Sequence, residues 1–74
     1  MNRLPMVTSK QVIQALQRAG FEPSYKRTSH VLLIHPIKTV ATVVSIHPGD
    51  LKRGTLKKIL KQVGLTEDEF RKLL

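Results

Sequence analysis

The fold is decided by one stretch, His30-Val31-Leu32-Leu33-Ile34-His35-Pro36-Ile37-Lys38-Thr39-Val40-Ala41-Thr42-Val43-Val44-Ser45-Ile46. Residues 30–35 and 39–46 are rich in β-branched and large apolar side chains, which favour extended strands. The short Pro36-Ile37-Lys38 connection predicts that the two strands pair as an antiparallel hairpin. Apolar residues occupy both faces of the first strand, so alternation alone does not identify its buried face.

A helix is predicted upstream of the hairpin, at residues 9–19. Thr8 and Gln11 have the spacing of a capping box, and Gly20 is the residue type that commonly ends a helix in the left-handed conformation. The helical repeat of apolar residues consists of Val12, Ile13, Leu16 and Ala19. Residues 21–27 are expected to form a short edge strand, because Pro23 lacks the amide that a central strand needs. Tyr25 is expected to face the core.

A second helix is predicted downstream, beginning at Gly54 or Thr55 and ending at Gly64. Its apolar side has the i, i+3, i+4, i+7 spacing of a helix and consists of Leu56, Ile59, Leu60 and Val63. Thr66 and Glu69 form a second capping box, which predicts a short C-terminal helix.

The order of elements predicts an α+β domain of the type α-β-β-β-α, spanning residues 1–74. The simplest arrangement is a three-stranded antiparallel sheet with two helices on one face and a short helix at the C-terminus. This is the architecture of double-stranded RNA-binding domains. The expected core contains Leu16, Leu32, Val44, Leu56, Ile59, Leu60 and Val63.

The charge of the chain is strongly positive. Thirteen Lys and Arg residues face five Asp and Glu residues, for a net charge of +8, and such a field attracts polyanions, of which nucleic acid is the commonest. The alternative is a basic surface without a ligand. The absence of cysteine excludes disulfides and thiolate metal sites, and the longest apolar run, residues 31–34, is too short to span a membrane. We expect a cytoplasmic protein with no membrane association.

The chain resembles the HicA toxins, small ribonucleases of bacterial toxin–antitoxin pairs. The resemblance covers nearly the whole chain and is strongest in residues 52–65. The matching segments are residues 12–16, Ala19-Gly20-Phe21, Ser29-His30, Ile34-His35-Pro36, residues 46–51 and residues 52–65.

The resemblance implies a messenger-RNA-cleaving toxin of a type II toxin–antitoxin system, with the fold of a double-stranded RNA-binding domain. The family's catalytic residue is a histidine in a Gly-Ser-His or similar triplet, and His30 falls on it. The implied partner is a HicB-type antitoxin that covers the site. The family usually has glycine where this chain has Thr28, which puts the geometry of this loop in question.

His30 is the candidate catalytic residue, because histidine exchanges protons near neutral pH. Lys26 and Arg27 are expected to hold the scissile phosphate. The full set of expected RNA-binding residues is Lys26, Arg27, Ser29, Lys52, Arg53, Lys57, Lys58 and Lys61. The alternatives are a strand histidine that merely hydrogen-bonds a neighbour, and lysines that solvate the outer face of a helix.

His35 and His47 each precede a proline, at the ends of strands. We interpret both as structural residues held extended at loop entries. A three-histidine metal site is the alternative, but the only acid nearby is Asp50, so we expect neither a metal nor another cofactor.

Three functions are consistent with the sequence. The first is a metal-independent endoribonuclease toxin that uses His30. The second is an RNA-binding module without catalysis, and the third is a protein-interaction domain whose basic surface fits an acidic partner. Replacing His30 separates the first from the second, because only the first loses its activity with the histidine.

Overall fold

The structure is a computed structural model that describes residues 5–27, 29–46 and 48–74. Its elements, in chain order, are α1 (Ser9–Arg18), β1 (Glu22–Lys26), β2 (His30–His35), β3 (Val40–Ser45), α2 (Arg53–Val63) and α3 (Glu67–Leu73). The predicted α+β fold of the double-stranded RNA-binding-domain type is confirmed, including the short C-terminal helix.

The sheet is antiparallel, with the strand order β1-β2-β3. The β2–β3 hairpin is as predicted and runs from the pair His30–Ser45 to the pair His35–Val40. Thr39 has φ 53°, which places it in the turn and not in the strand, so β3 is shorter than the predicted residues 39–46. β1 is an edge strand, as Pro23 indicated, and β2 is the central strand.

The two faces of the sheet have different environments. Val31, Leu33 and His35 alternate along β2 and are buried beneath the helices, whereas Leu32 and Ile34 are half-buried on the opposite face. We call this opposite face the open face. The prediction that Leu32 belongs to the core was wrong, because β2 is apolar on both faces and only the helices select the buried one.

The rest of the predicted core is confirmed. The remaining predicted residues are all buried: Leu16, Val44, Leu56, Ile59, Leu60 and Val63. Phe21 and Phe70 join them, so the sheet, the helices and both phenylalanines share one core.

Both capping boxes form as the sequence indicated. The Thr8 N–H donates to Gln11 Oε1 at 2.8 Å, and the Thr66 N–H donates to Glu69 Oε1 at 2.9 Å. Helix α1 ends one residue before the predicted limit, and Gly20 follows with φ 103°. Helix α2 begins at Arg53, slightly earlier than predicted, and ends at Gly64 as expected.

Helix α2 runs back along β3. The Thr42 hydroxyl donates to Gln62 Oε1 at 2.7 Å, which fixes the last turns of α2 over β3. The Leu51 N–H donates to the Val7 carbonyl at 2.7 Å, so α1 and α2 both begin at the end of the sheet where β2 starts. We call this the His30 end and the other the His35 end.

Helix α3 lies at the His35 end. The Arg18 guanidinium, in the last turn of α1, donates to the Leu73 carbonyl at 2.6 Å.

Three expectations lie outside the part of the chain that the structure describes. They are the direction of the Tyr25 side chain, the effect of Thr28 and the structural role of His47.

Candidate functional site

His30 is the first residue of the central strand. Its carbonyl accepts the Arg27 N–H at 2.8 Å, and the preceding Ser29 carbonyl accepts the Ile46 N–H at 2.7 Å. His30 pairs with Ser45, is exposed and belongs to the alternating set that lies on the open face. The backbone is therefore held from both sides while the imidazole remains accessible.

Ser29 contacts the ring of His30 directly. Its Oγ lies 3.1 Å from His30 Nδ1. A hydroxyl both donates and accepts, so this hydrogen bond persists whether Nδ1 is bare or protonated. The contact occupies Nδ1 and leaves Nε2 for a substrate, which is the arrangement that a general acid–base requires.

His35 is structural, as predicted. It is 8 % exposed, and its Nδ1 accepts the N–H groups of Ile37 at 3.3 Å and Lys38 at 3.1 Å. Its ring meets Phe21 edge to face, with 5.1 Å between ring centroids. The histidine therefore closes the β2–β3 turn and packs against the core.

Lys26 lies on the opposite face of the sheet from His30. A β-bulge between Pro23 and Tyr25 shifts the alternation of β1, so Lys26 pairs with the buried Val31. There it lines a groove of about 410 Å³ between α1 and the sheet. The other residues lining the groove are Lys10, Ile13, Gln14, Gln17, Pro23, Val31 and Ile46.

Arg27 is one residue closer to the catalytic candidate. Its backbone pairs with His30, so of the two basic residues expected to hold the phosphate, Arg27 is the one that the fold joins directly to the histidine.

Lys10 lines the same groove as Lys26 and was not among the predicted binding residues. The sequence signal for it is its place in the first turn of α1, at the His30 end.

The basic residues of α2 do not form one patch. Lys52 and Arg53 begin the helix at the His30 end. Lys57 and Lys61 share one flank and line a groove of about 320 Å³ with Leu65, Thr66 and Glu67, next to α3. Lys58 is one turn before Gln62, on the flank that borders β3.

The N-terminus of α2 presents backbone donors. Lys52, the residue that caps it, makes no side-chain capping hydrogen bond. The first backbone bond of the helix runs from the Leu56 N–H to the Lys52 carbonyl at 3.0 Å, so the preceding amides of Gly54 and Thr55 have no acceptor within the helix. Helix N-termini of this kind attract anions such as phosphate.

Neither a metal centre nor a membrane span appears in the part of the chain that the structure describes. No three His, Asp or Glu residues among those positions are grouped so that they would hold a metal ion. None of the helices there is long and apolar enough to cross a bilayer.

The family model described as the HicA toxin of bacterial toxin–antitoxin systems matches residues 9–65. This range runs from the first residue of α1 to just beyond α2 and includes Ser29 and His30. No curated protein matches the chain.

Proposed function

Because the chain belongs to the HicA toxin family of bacterial toxin–antitoxin systems, we propose that it is an endoribonuclease that cleaves messenger RNA with His30 as its general acid–base. The observation that carries this proposal is the exposed imidazole on a rigid central strand, hydrogen-bonded to Ser29 at Nδ1. The strand fixes the position of the ring, and the hydroxyl fixes its orientation.

The proposed reaction is an internal transesterification. His30 Nε2 takes the proton of a ribose 2′-hydroxyl, the O2′–P bond forms, and the P–O5′ bond breaks. The imidazolium then gives its proton to the departing 5′ oxygen. The products are one fragment that ends in a 2′,3′-cyclic phosphate and one that begins with a 5′-hydroxyl. Because the histidine performs both proton transfers, the reaction needs no metal.

Positive charge at the His30 end supports binding of the RNA backbone. Arg27 adjoins the histidine, and Lys52 and Arg53 begin α2 at the same end of the sheet. The amides of Gly54 and Thr55 add donors for a phosphate. Lys57, Lys58 and Lys61 extend the basic surface along α2, and Lys26 extends it into the groove beside α1.

The proposed partner is a HicB-type antitoxin that covers His30. The open face offers the half-buried Leu32 and Ile34 beside the histidine, which suits a protein partner better than a polyanion. Acidic groups of the antitoxin would meet Arg27 and the start of α2, and this complementarity would speed and orient the encounter.

Induced expression of the native chain and of His30→Ala tests the proposal. We expect the native chain to stop growth and degrade messenger RNA, and His30→Ala to do neither. Ser45→Ala is the matched control, because it removes a side chain directly across from His30 and should retain activity. Purified native protein should cleave RNA in the presence of a chelator, with 2′,3′-cyclic phosphate and 5′-hydroxyl ends.

The outcome also decides between cleavage and binding alone. If His30→Ala remains toxic and binds RNA while messenger RNA stays intact, the protein is an RNA-binding module without catalysis. If neither the native chain nor His30→Ala binds RNA, the basic surface serves a protein partner.

A further inference from the structure

The two edge strands of the sheet differ in how they discourage pairing with another chain. Isolated proteins protect exposed edges with proline, charge or bulges. β1 has all of these, in Pro23, in the bulge that follows it, and in Glu22 and Lys26. β3 is Val-Ala-Thr-Val-Val-Ser, a regular strand with no proline and no charge, and it pairs in register with β2 over its whole length.

The backbone groups that β3 offers at its outer edge follow from its register. In an antiparallel ladder, hydrogen-bonded pairs alternate with non-hydrogen-bonded ones. Because Ile46 bonds to Ser29, Val44, Thr42 and Val40 are the β3 residues that bond to β2. The alternate residues, Ala41, Val43 and Ser45, direct their N–H and C=O groups away from the sheet. Among the described residues, β3 has no second neighbouring strand.

The surroundings of this edge indicate what kind of strand fits it. On the helix side, Gln62 contacts Thr42, and Lys58 lies one turn earlier on the same flank of α2. On the open face, Ala41 is exposed and Val43 is 50 % exposed. A fourth strand would therefore meet a positive charge on one side and apolar side chains on the other.

We propose that the outer edge of β3 binds a strand of the antitoxin, which extends the sheet to four strands. That strand alternates acidic residues, which face Lys58, with apolar residues, which lie beside Val43. The inference rests on the proposed function only for the identity of the partner. A second copy of this chain fits less well, because each copy carries a net charge of +8 and two Lys58 flanks would meet.

The edge is continuous with the candidate active site. β3 ends at Ser45, the cross-strand neighbour of His30. A strand bound along β3 would therefore bring the antitoxin to the open face next to the histidine. Backbone pairing would supply the register, and the side chains of the added strand would supply the specificity.

Hydrogen exchange of backbone amides tests the proposal directly. The probe is the purified antitoxin encoded by the neighbouring gene. In the free toxin the amides of Ala41, Val43 and Ser45 should exchange fast, while those of Thr42 and Val44 are protected by β2. Binding of the antitoxin should slow exchange at the first three and leave the second two unchanged. Unchanged exchange at Ala41 and Val43 in the complex would refute strand addition.

A proline at the edge provides a second test. Val43→Pro removes an outward N–H and should weaken antitoxin binding by about tenfold or more, while Val43→Thr keeps the amide and the branched side chain and should lose much less affinity. Protection of Thr42 and Val44 shows that each variant is folded. Equal affinity of both folded variants for the antitoxin would refute the proposal. Slow exchange at Ala41 and Val43 in a free toxin that sediments as a dimer would also refute it, because a second copy of the chain would then occupy the edge.

The two proposals fail separately. If the toxin cleaves RNA but antitoxin binding leaves the β3 edge unprotected, only strand addition is wrong. If the edge becomes protected but the free toxin does not cleave RNA, only the catalytic proposal is wrong.

Discussion

Gly20 lies directly against the ring of His35. A β-carbon at Gly20 would stand 2.8 Å from His35 Nε2, closer than real β-carbons approach other atoms. The ring cannot easily move away, because its Nδ1 accepts two turn amides and it packs edge to face with the ring of Phe21. The end of α1 and the β2–β3 turn are thus fitted to each other through one glycine and one histidine.

We therefore expect Gly20→Ala to destabilise the protein more than Gly64→Ala. Both glycines follow a helix with positive φ, 103° and 75°, so both substitutions incur a backbone cost of roughly 1–2 kcal/mol. Only Gly20 adds a clash, since nothing lies within 4 Å of a β-carbon at Gly64. Denaturant unfolding should show an excess cost of about 1 kcal/mol or more for Gly20→Ala.

A double-mutant cycle checks the cause of this excess. In a His35→Ala background the additional cost of Gly20→Ala should largely disappear, because the clashing ring is absent. An excess that persists there would assign the cost to the backbone of Gly20 alone.

Ser29→Ala should slow RNA cleavage roughly tenfold, the equivalent of one hydrogen bond that orients the His30 ring. Ser29→Thr keeps the hydroxyl and should recover most of the rate. No recovery by threonine would indicate that Ser29 does not act through its hydroxyl.

The two capping boxes should respond differently to acid. The pKa of Glu69 lies below its ordinary value of 4.5, mainly because the carboxylate accepts the Thr66 backbone N–H, with a further contribution from the Thr66 hydroxyl. Because the pKa of Glu69 is lowered in the folded state, the Thr66–Glu69 capping box stabilises α3 fully above about pH 4.5. This stabilisation is lost as the pH falls through the pKa that Glu69 has in the folded protein. The equivalent residue in the first box is Gln11, which does not titrate.

The measurement is the amide chemical shift of the two capping residues between neutral pH and acid. The Thr66 amide should move as Glu69 titrates, and the Thr8 amide should not. In Glu69→Gln the movement at Thr66 should be much reduced. Equal shifts at both amides in the native protein would contradict this assignment.

The salt dependence of RNA affinity should identify which basic residues contact phosphate. Each lost contact flattens the logarithmic salt slope by about 0.7–0.9. Lys52→Gln should do so, because Lys52 lies at the His30 end. Lys61→Gln is the matched charge control in the last turn of α2, where we expect a smaller change. A larger effect at Lys61 would move the RNA path towards α3.

Much of the fold was predictable because local signals agreed with one another. Both capping boxes, the ends of the helices at Gly20 and Gly64, and the β2–β3 hairpin follow from short-range chemistry. The buried face of β2 did not, because Leu32 and Leu33 are equally apolar and the choice depends on the packing of distant helices.

The site was only partly predictable for a related reason. The Ser29–His30 contact joins sequence neighbours, and both belong to a segment that resembles the family. The bulge in β1 turns Lys26 to the other face of the sheet, and a bulge depends on pairing that one strand does not reveal by itself. The separation of Lys57 and Lys61 from Lys58 required the Gln62–Thr42 contact.

The placement of the acidic residues makes the molecule an electric dipole. Glu22 pairs with Ile34 near the His35 end, and α3 adds three acids in its first turn at the same end, where Lys38 interacts with Glu69. Only Asp50 lies near the start of α1. The field of a polyanion exerts a torque on this dipole and turns the His30 end towards the polyanion before contact. This shortens the rotational search within about one Debye length, roughly 10 Å at 0.1 M salt.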